Sequence, residues 1–346
     1  MKQAVLTAAG KFELGDAPKP SPASGEALVR VRAVGVCGSD LHMFREGSIG
    51  GITIQDAGGP FVPGHECVGV VEEAGPGVQP SLAGRRVFVE PTINCGRCRW
   101  CLAGVPNVCP HQRFLGLPPQ GGCLAEYLVH PARLCTPLPD DIDDDTAALL
   151  EPLAIAVHSL DRLGVAGGCP AVVLGAGTMG LTHVLLLARS GVAPLIVTDL
   201  LDYRLELARQ LGATRTLNPT RDDVVAVCRE LTGVHGADFV FECAGVDETF
   251  GQMVEVAAPA GAVGVVGIPV EDRLAFKHSA ARRKGLDVRM IRRANRTFDR
   301  ALARTIAEKL PLGRLATHHW PLAQTQQAHE TAANYRDGVV KAIINP

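Results

Sequence analysis

Three things are missing from this 346-residue sequence, and each absence removes a class of function. Charge of one sign is the first: 34 Lys and Arg stand against 36 Asp and Glu, a formal net charge of −2. A chain so balanced has no global field to draw it to nucleic acid or to an anionic membrane surface. Long apolar runs are the second, since none approaches the ~18 residues that a membrane-spanning helix requires. The pattern of a secretory leader at the opening residues is the third, so none is expected. The opening residues, MKQAVLTAAG, run into a strand-like pattern without an apolar stretch of ~7–15 residues and a small-residue cleavage site. Internal repeats and low-complexity segments are absent too. What is present is the composition of a soluble globular enzyme, 47% hydrophobic and 20% charged, with length enough for two domains and two cores. No nucleic-acid or membrane partner is expected. The expected compartment is the cytoplasm, where thiols stay reduced.

Cysteine is there, and it is concentrated. Four of the eleven cysteines fall in NCGRCRWCLAGVPNVC, residues 94–109, as Cys95, Cys98, Cys101 and Cys109. A disulfide knot suits a reducing compartment poorly. A thioredoxin-like redox site needs one Cys-x-x-Cys beside a βαβ unit, not this four-cysteine spacing. The intervening Gly96, Gly104, Pro106 and Asn107 supply turns that can bend four thiolates around one ion. Structural zinc prefers that tetrahedral shell, closed to substrate; a [4Fe–4S] cluster also takes four thiolates. By this reading the lobe is a staple, and chemistry lies elsewhere.

The strongest fold signal is AVVLGAGTMG, residues 171–180. A buried strand runs into Gly-x-Gly-x-x-Gly at Gly175, Gly177 and Gly180, a helical pattern follows, and a second strand ends in Asp199. Strand, helix, strand and acid together form the dinucleotide fingerprint. Gly175 permits the turn, Gly177 lets backbone approach a pyrophosphate at the helix N-terminus, and Gly180 lets helix pack on strand. Asp199 can accept from both ribose hydroxyls and repel a 2′-phosphate. Leu200 and Leu201 supply no cation for such a phosphate, and Arg204 is expected to face adenine or Asp199 itself. NAD is therefore favoured over NADP. Met179, within the turn, and Val266, Gly267 and Ile268, ending GAVGVVGIP, complete the expected cofactor contacts. Helical and strand patterns alternate over residues 157–289, as in an α/β doubly wound parallel sheet. Residues 1–156 instead carry short Val-rich alternating runs such as EALVRVRAVGV and ECVGVVEEAG, which suit a β-barrel-like domain.

Two stretches of that first domain carry chemistry. VCGSDLHMF holds Cys37, Ser39, Asp40 and His42, and PGHECVGVV holds His65 and Glu66. A thiolate, an imidazole and a carboxylate could make an open zinc site with a free fourth position. A third stretch, ALLEPLAIAVHSL, places Glu151 at the head of a long apolar helix, where an acid also suits the helix dipole.

Taken in order, CGSDLH, GHE, the four-cysteine lobe, EPLA, GAGTMG with TDL, and IRRAN resemble the zinc-dependent medium-chain dehydrogenase/reductases over nearly the whole chain. The branch they look most like holds the polyol (sorbitol- and xylitol-type) and threonine dehydrogenases. The resemblance implies a Rossmann domain inserted in a GroES-like β-barrel catalytic domain, to which residues 290–346 return. It implies that Cys37, His65 and Glu66 ligate a catalytic zinc. Glu151 matches a carboxylate that touches this zinc directly in some relatives and through water in others. Ser39 and His42 match a proton-relay pair. The implied reaction passes a hydride from a secondary alcohol to NAD⁺ and gives a ketone. The implied cofactors are one catalytic Zn²⁺, one structural Zn²⁺ and NAD, and the implied assembly is a homo-oligomer, dimer or tetramer.

Departures from that pattern bear on substrate. IRRAN stands where polyol enzymes show a FRYAN-like motif, so Arg292 falls at a substrate-binding position and Arg293 replaces an aromatic. Met43 stands where tyrosine is common, and is expected to face substrate. The basic run RRKGLDVRMIRRANRTFDR can be a solvated or subunit face. It can equally clamp a sugar acid or sugar phosphate. An amino alcohol of the threonine type is the other substrate expectation. Two further classes compete: a zinc-free quinone or enoyl reductase, which would lack Cys37, His65 and the lobe, and a non-enzymatic NAD-binding sensor.

Overall fold

The computed structural model describes every residue of the chain except Val234. It divides into two compact units, Met1–Glu151 with Pro311–Pro346, and Pro152–Leu310. The expected divisions at 156/157 and 289/290 therefore shift. Residues 290–310 stay with the second unit because its helices hold them. The Thr297 hydroxyl donates to the Ala154 carbonyl at 2.7 Å, and Arg300 pairs with Asp161.

In the first unit the alternating run becomes the strand Glu26–Gly35, whose odd-numbered valines point into the core. It pairs antiparallel with Glu66–Ala74 on one side, and with Lys341–Asn345 and Tyr127–Pro131 as well. The sheet runs in the order Cys135–Pro137, Arg86–Val89, Glu66–Ala74, Glu26–Gly35, Lys341–Asn345, Ala316–Pro321. Val29, Val31, Val34, Cys67, Val71 and Val87 fill the interior. One consequence of the register matters for the site. Gly35 stands opposite Glu66, and a Cβ at 35 would land on Glu66 Oε2. Only glycine leaves room for that carboxylate.

In the second unit six parallel strands lie in the order Arg215–Leu217, Leu195–Thr198, Ala171–Leu174, Ala237–Glu242, Ala257–Val265, Asp287–Met290. Counted along the chain this is 3-2-1-4-5-6, the doubly wound order that places a ligand crevice beside the carboxyl end of the first strand. The central strands AVVL and LIVT are buried throughout, as parallel strands covered on both faces must be. Among the described residues no helix is long and apolar enough to cross a membrane.

Candidate active site

The cysteine lobe has the dimensions of a closed metal shell. Cys98 opens the helical turn Arg99–Leu102, and a 3₁₀ turn, Pro106–Val108, delivers Cys109 back to the first three. Sγ–Sγ separations are 3.9 Å for Cys95–Cys101, 3.5 Å for Cys98–Cys101, 3.7 Å for Cys98–Cys109 and 3.5 Å for Cys95–Cys109. Four thiolates held ~2.3 Å from one ion in a tetrahedron stand ~3.8 Å apart. The four sulfurs therefore fit one zinc. A cubane, with each thiolate on a different iron, needs a wider set. The amides of Arg97 and Cys98 pull the Cys95 thiol down to about 6, toward the thiolate a metal requires.

A second donor set forms in the same unit. Cys37 Sγ, a ring nitrogen of His65 and a carboxylate oxygen of Glu66 lie within 4.8 Å of one another. Cys37 is the N-cap of the helix Gly38–Glu46, and Asp40 closes a capping box by accepting from the Cys37 amide at 2.9 Å. The other oxygen of Asp40 lies 3.5 Å from His65 Nδ1. This orients the imidazole and leaves its other nitrogen to a metal, the usual arrangement around a ligating histidine. Burial opposes the imidazolium, but the charges of Asp40 and Cys37 hold the His65 pKa well above its ordinary value. A divalent cation among these donors would take the place of that proton. Thiolate, imidazole and carboxylate, three protein donors to an ion that takes four, suit an open zinc site.

Lys341 completes the cluster. Its ammonium donates to both oxygens of Glu66 at 2.7 Å and to the Val36 carbonyl at 2.9 Å. The pair is sealed, with side-chain exposures of 2% and 0%. Burial works against the ammonium, and the Glu66 charge, followed by that of Cys37, still raises its pKa. Glu66 thus serves the donor set while held by a fixed counter-charge.

The same helix carries the pair suggested for proton relay. Ser39 and His42 are three residues apart, so they share a face, and both are half-buried. Burial, then Arg45, lowers the His42 pKa, which keeps the ring neutral and able to accept a proton near pH 7. Glu151 is buried in the first turn of Leu150–Leu163 and stands outside the three-residue donor set. Met43 is a correction. It is 0% exposed and packed with Leu6, Phe44, Ile49 and Phe61, so it is a core residue and cannot touch substrate. The helix turns Met43 inward because it lies one residue past His42, about 100° around the axis.

In the second unit the glycine turn is built as expected. Gly175 has φ +95°, and a Cβ there would press on Ala244 at 3.0 Å. A Cβ at Gly180 would overlap the Gly175 carbonyl, so helix and strand meet backbone to backbone. Gly177, by contrast, opens the helix Thr178–Arg189 with only Arg204 Nη1 near its Cβ direction, at 3.8 Å. The missing side chain there suits close approach of a phosphate to the backbone. Asp199 accepts from the Ala176 amide at 2.7 Å and the Leu201 amide at 2.9 Å, and Arg204 Nη1 lies 3.8 Å away. Met179 is half-buried in that turn, Val266 and Gly267 are half-buried beyond the fifth strand, and Ile268 is exposed. Arg292 is exposed, while Arg293 sits at φ +52°, a left-handed conformation that non-glycine residues adopt at a cost of ~1–3 kcal/mol.

Asp40 stands in the VCGSDLHMF stretch, but its contact with His65 is given only by the fold. Lys341 escapes sequence reading, being 275 residues from Glu66.

Comparison with known proteins agrees with this geometry. Residues 23–140 match the family description "Alcohol dehydrogenase GroES-like domain", and residues 178–308 match "Zinc-binding dehydrogenase". The sorbitol dehydrogenase of Bacillus subtilis is 31% identical, covering 100% of this chain and 97% of that protein. The L-idonate 5-dehydrogenase of Vitis vinifera is 33% identical, covering 94% and 89%. A zinc-binding dehydrogenase from Sinorhizobium meliloti, solved bound to NADP, superposes with a TM-score of 0.90 at 30% identity, covering 100% and 99%.

Proposed function

We propose, from the premise that this chain belongs to the zinc-dependent medium-chain dehydrogenase/reductase family of alcohol dehydrogenases, that it oxidises a secondary alcohol of a polyol, sugar or sugar derivative to a ketone with NAD⁺. The observation that carries the reading is the Cys37–His65–Glu66 donor set at the head of the helix that bears Ser39 and His42. When bound, zinc supplies a Lewis acid that acidifies the alcohol, and the dinucleotide supplies the hydride acceptor. The chain does the rest. Asp40 orients His65, Lys341 balances Glu66, and Ser39 passes the alcohol proton to the neutral imidazole of His42. The closed lobe of Cys95, Cys98, Cys101 and Cys109 holds structure only. Eleven free thiols suit the reducing cytoplasm, and a homo-oligomer is part of the same reading. A panel of polyols, sugar acids, sugar phosphates and amino alcohols, read by NADH absorbance, tests it. Activity on none of these, with NADH still bound, would leave a cofactor-binding sensor instead.

Cofactor choice is assigned to Asp199. Both its oxygens are anchored by backbone amides, so its charge stays in place to accept ribose hydroxyls and repel a 2′-phosphate. Arg204, within reach of the same carboxylate, is a nearby cation that could favour NADP. Asp199→Ser is expected to lower the ratio of kcat/KM for NAD over NADP by about tenfold or more, a ΔΔG‡ near ~1.4 kcal/mol. An unchanged ratio places the choice elsewhere.

For substrate class, the strained Arg293 and the exposed Arg292 favour an anionic sugar derivative, and a relative named for idonate points the same way. Arg292→Ala or Arg293→Ala should lower kcat/KM for the best substrate by roughly ten- to a hundredfold, ~1.5–3 kcal/mol. NADH affinity should stay near wild type, and Arg→Lys should restore little if the contact is bidentate. A normal KM with an altered elution volume on size exclusion assigns these arginines to a subunit face.

A further inference from the structure

The buried carboxylate of Glu242 has no part in the chemistry above, and it stands at a telling place. It is the last residue of the strand Ala237–Glu242, paired in register with Leu174, the residue before Gly175. In a 3-2-1-4-5-6 sheet those two strand ends flank the crevice that receives a dinucleotide. Glu242 is 0% exposed.

Three segments meet at this residue, one of them through Ala244. Oε1 accepts from the amides of Ala244 and Gly245, both at 2.8 Å, and from the Thr249 hydroxyl at 2.7 Å. Ala244 is the residue against which the Gly175 turn rests, so the first contact reaches the phosphate-binding turn. The main-chain carbonyl of Glu242 accepts from Val266 at 2.8 Å and Gly267 at 3.0 Å, and Oε2 faces Gly267, whose Cβ would come within 2.6 Å of it. Gly245 and Ile268 touch backbone to backbone, with 2.8 Å from a Cβ at Gly245 to the Ile268 carbonyl. Burial raises the carboxyl pKa, and the amide and hydroxyl bonds oppose that shift. A buried acid is an expensive way to close a turn, and here a single oxygen, Oε1, takes all three side-chain bonds.

We propose that Glu242 is a positioning residue for the bound dinucleotide, locking the Gly175 turn, residues 243–246 and residues 266–268 in the arrangement that receives it. The proposal rests on the reading that a nicotinamide dinucleotide binds this crevice. Without the carboxylate, residues 243–246 lose their bonds to Oε1 and the Gly175 turn loses the fixed Ala244 it rests against, so cofactor binding must order them first.

The test is an NADH titration of the zinc-loaded full-length protein, followed by fluorescence, beside thermal unfolding with and without NADH. Glu242→Leu, which keeps the volume and removes the acceptor, is expected to raise the NADH Kd about tenfold or more and to shrink the Tm gain from saturating NADH. Thr249→Val, which keeps the carboxylate and removes one donor, should raise Kd about threefold, and it decides the matter if the Leu variant does not fold. A Tm loss in the cofactor-free variants with NADH Kd within twofold of wild type means a purely structural carboxylate and overturns the proposal. If wild-type protein binds neither NADH nor NADPH, the dinucleotide reading itself is overturned, a result separable from unchanged variants beside a tight wild type.

Discussion

Lys341→Met is expected to cost about 3–5 kcal/mol of stability in zinc-free protein, because it strands the Glu66 charge in a sealed interior. Both Glu66 oxygens lean on this one ammonium, and Oε2 lies directly against Gly35. Removing the partner of a buried pair is far worse than removing the pair, so Lys341→Met/Glu66→Gln should recover most of the loss. Zinc sharpens the test. A bound dication restores positive charge beside Glu66, so the penalty in urea unfolding should be smaller in zinc-loaded than in chelator-treated protein. Equal penalties in the two states would show that Glu66 lies outside the influence of the metal. A double variant as unstable as Lys341→Met alone would show that packing by the lysine stem, not charge, sets the cost.

Cys101→Ser is expected to release one of two zinc ions per chain and to unfold the lobe of residues 94–109. The four sulfurs stand at tetrahedral spacing, so every vertex is occupied by protein and a missing thiolate has no substitute nearby. Cys101 is, with Cys109, one of the two buried vertices, and a serine hydroxyl is a poor ligand for zinc. Structural zinc sites contribute folding energy of ~10–16 kcal/mol in isolated peptides, so even a partial loss exceeds ordinary point-mutant effects. Metal analysis should read about one zinc, and limited proteolysis should cut within the lobe. Two zinc ions retained would sink the assignment. Because the lobe and the Cys37–His65–Glu66 set are separate clusters, the remaining ion should still support dehydrogenation of whatever alcohol the substrate panel identifies.

Short-range patterns were legible from the residues alone. The Cys-x-x-Cys-x-x-Cys-x7-Cys spacing already contains its answer, because fifteen residues with four turn-formers cannot scatter four thiolates far apart. The glycine turn is equally local: Gly175, Gly177 and Gly180 each meet a steric demand set within a few residues. Asp199 follows at the end of the next strand, and strand length fixes where it lands. Family membership was legible for the same reason, since its motifs are runs of adjacent residues.

What tertiary structure alone decided concerns facing and distance. Met43 reads as a substrate residue when aligned by position, yet the helix beginning at Cys37 rotates it into the core. Residues 290–310 read as returning to the catalytic domain, yet Thr297 and Arg300 bind them to the helix Leu150–Leu163. Lys341 reads as one lysine in a terminal strand. The antiparallel register of Lys341–Asn345 on Glu26–Gly35, with Glu66–Ala74 on that strand's other side, carries its ammonium to Glu66. A residue's type and neighbours determine what it can bond, whereas register and helical rotation determine whom it meets, and those are settled only when distant strands pack.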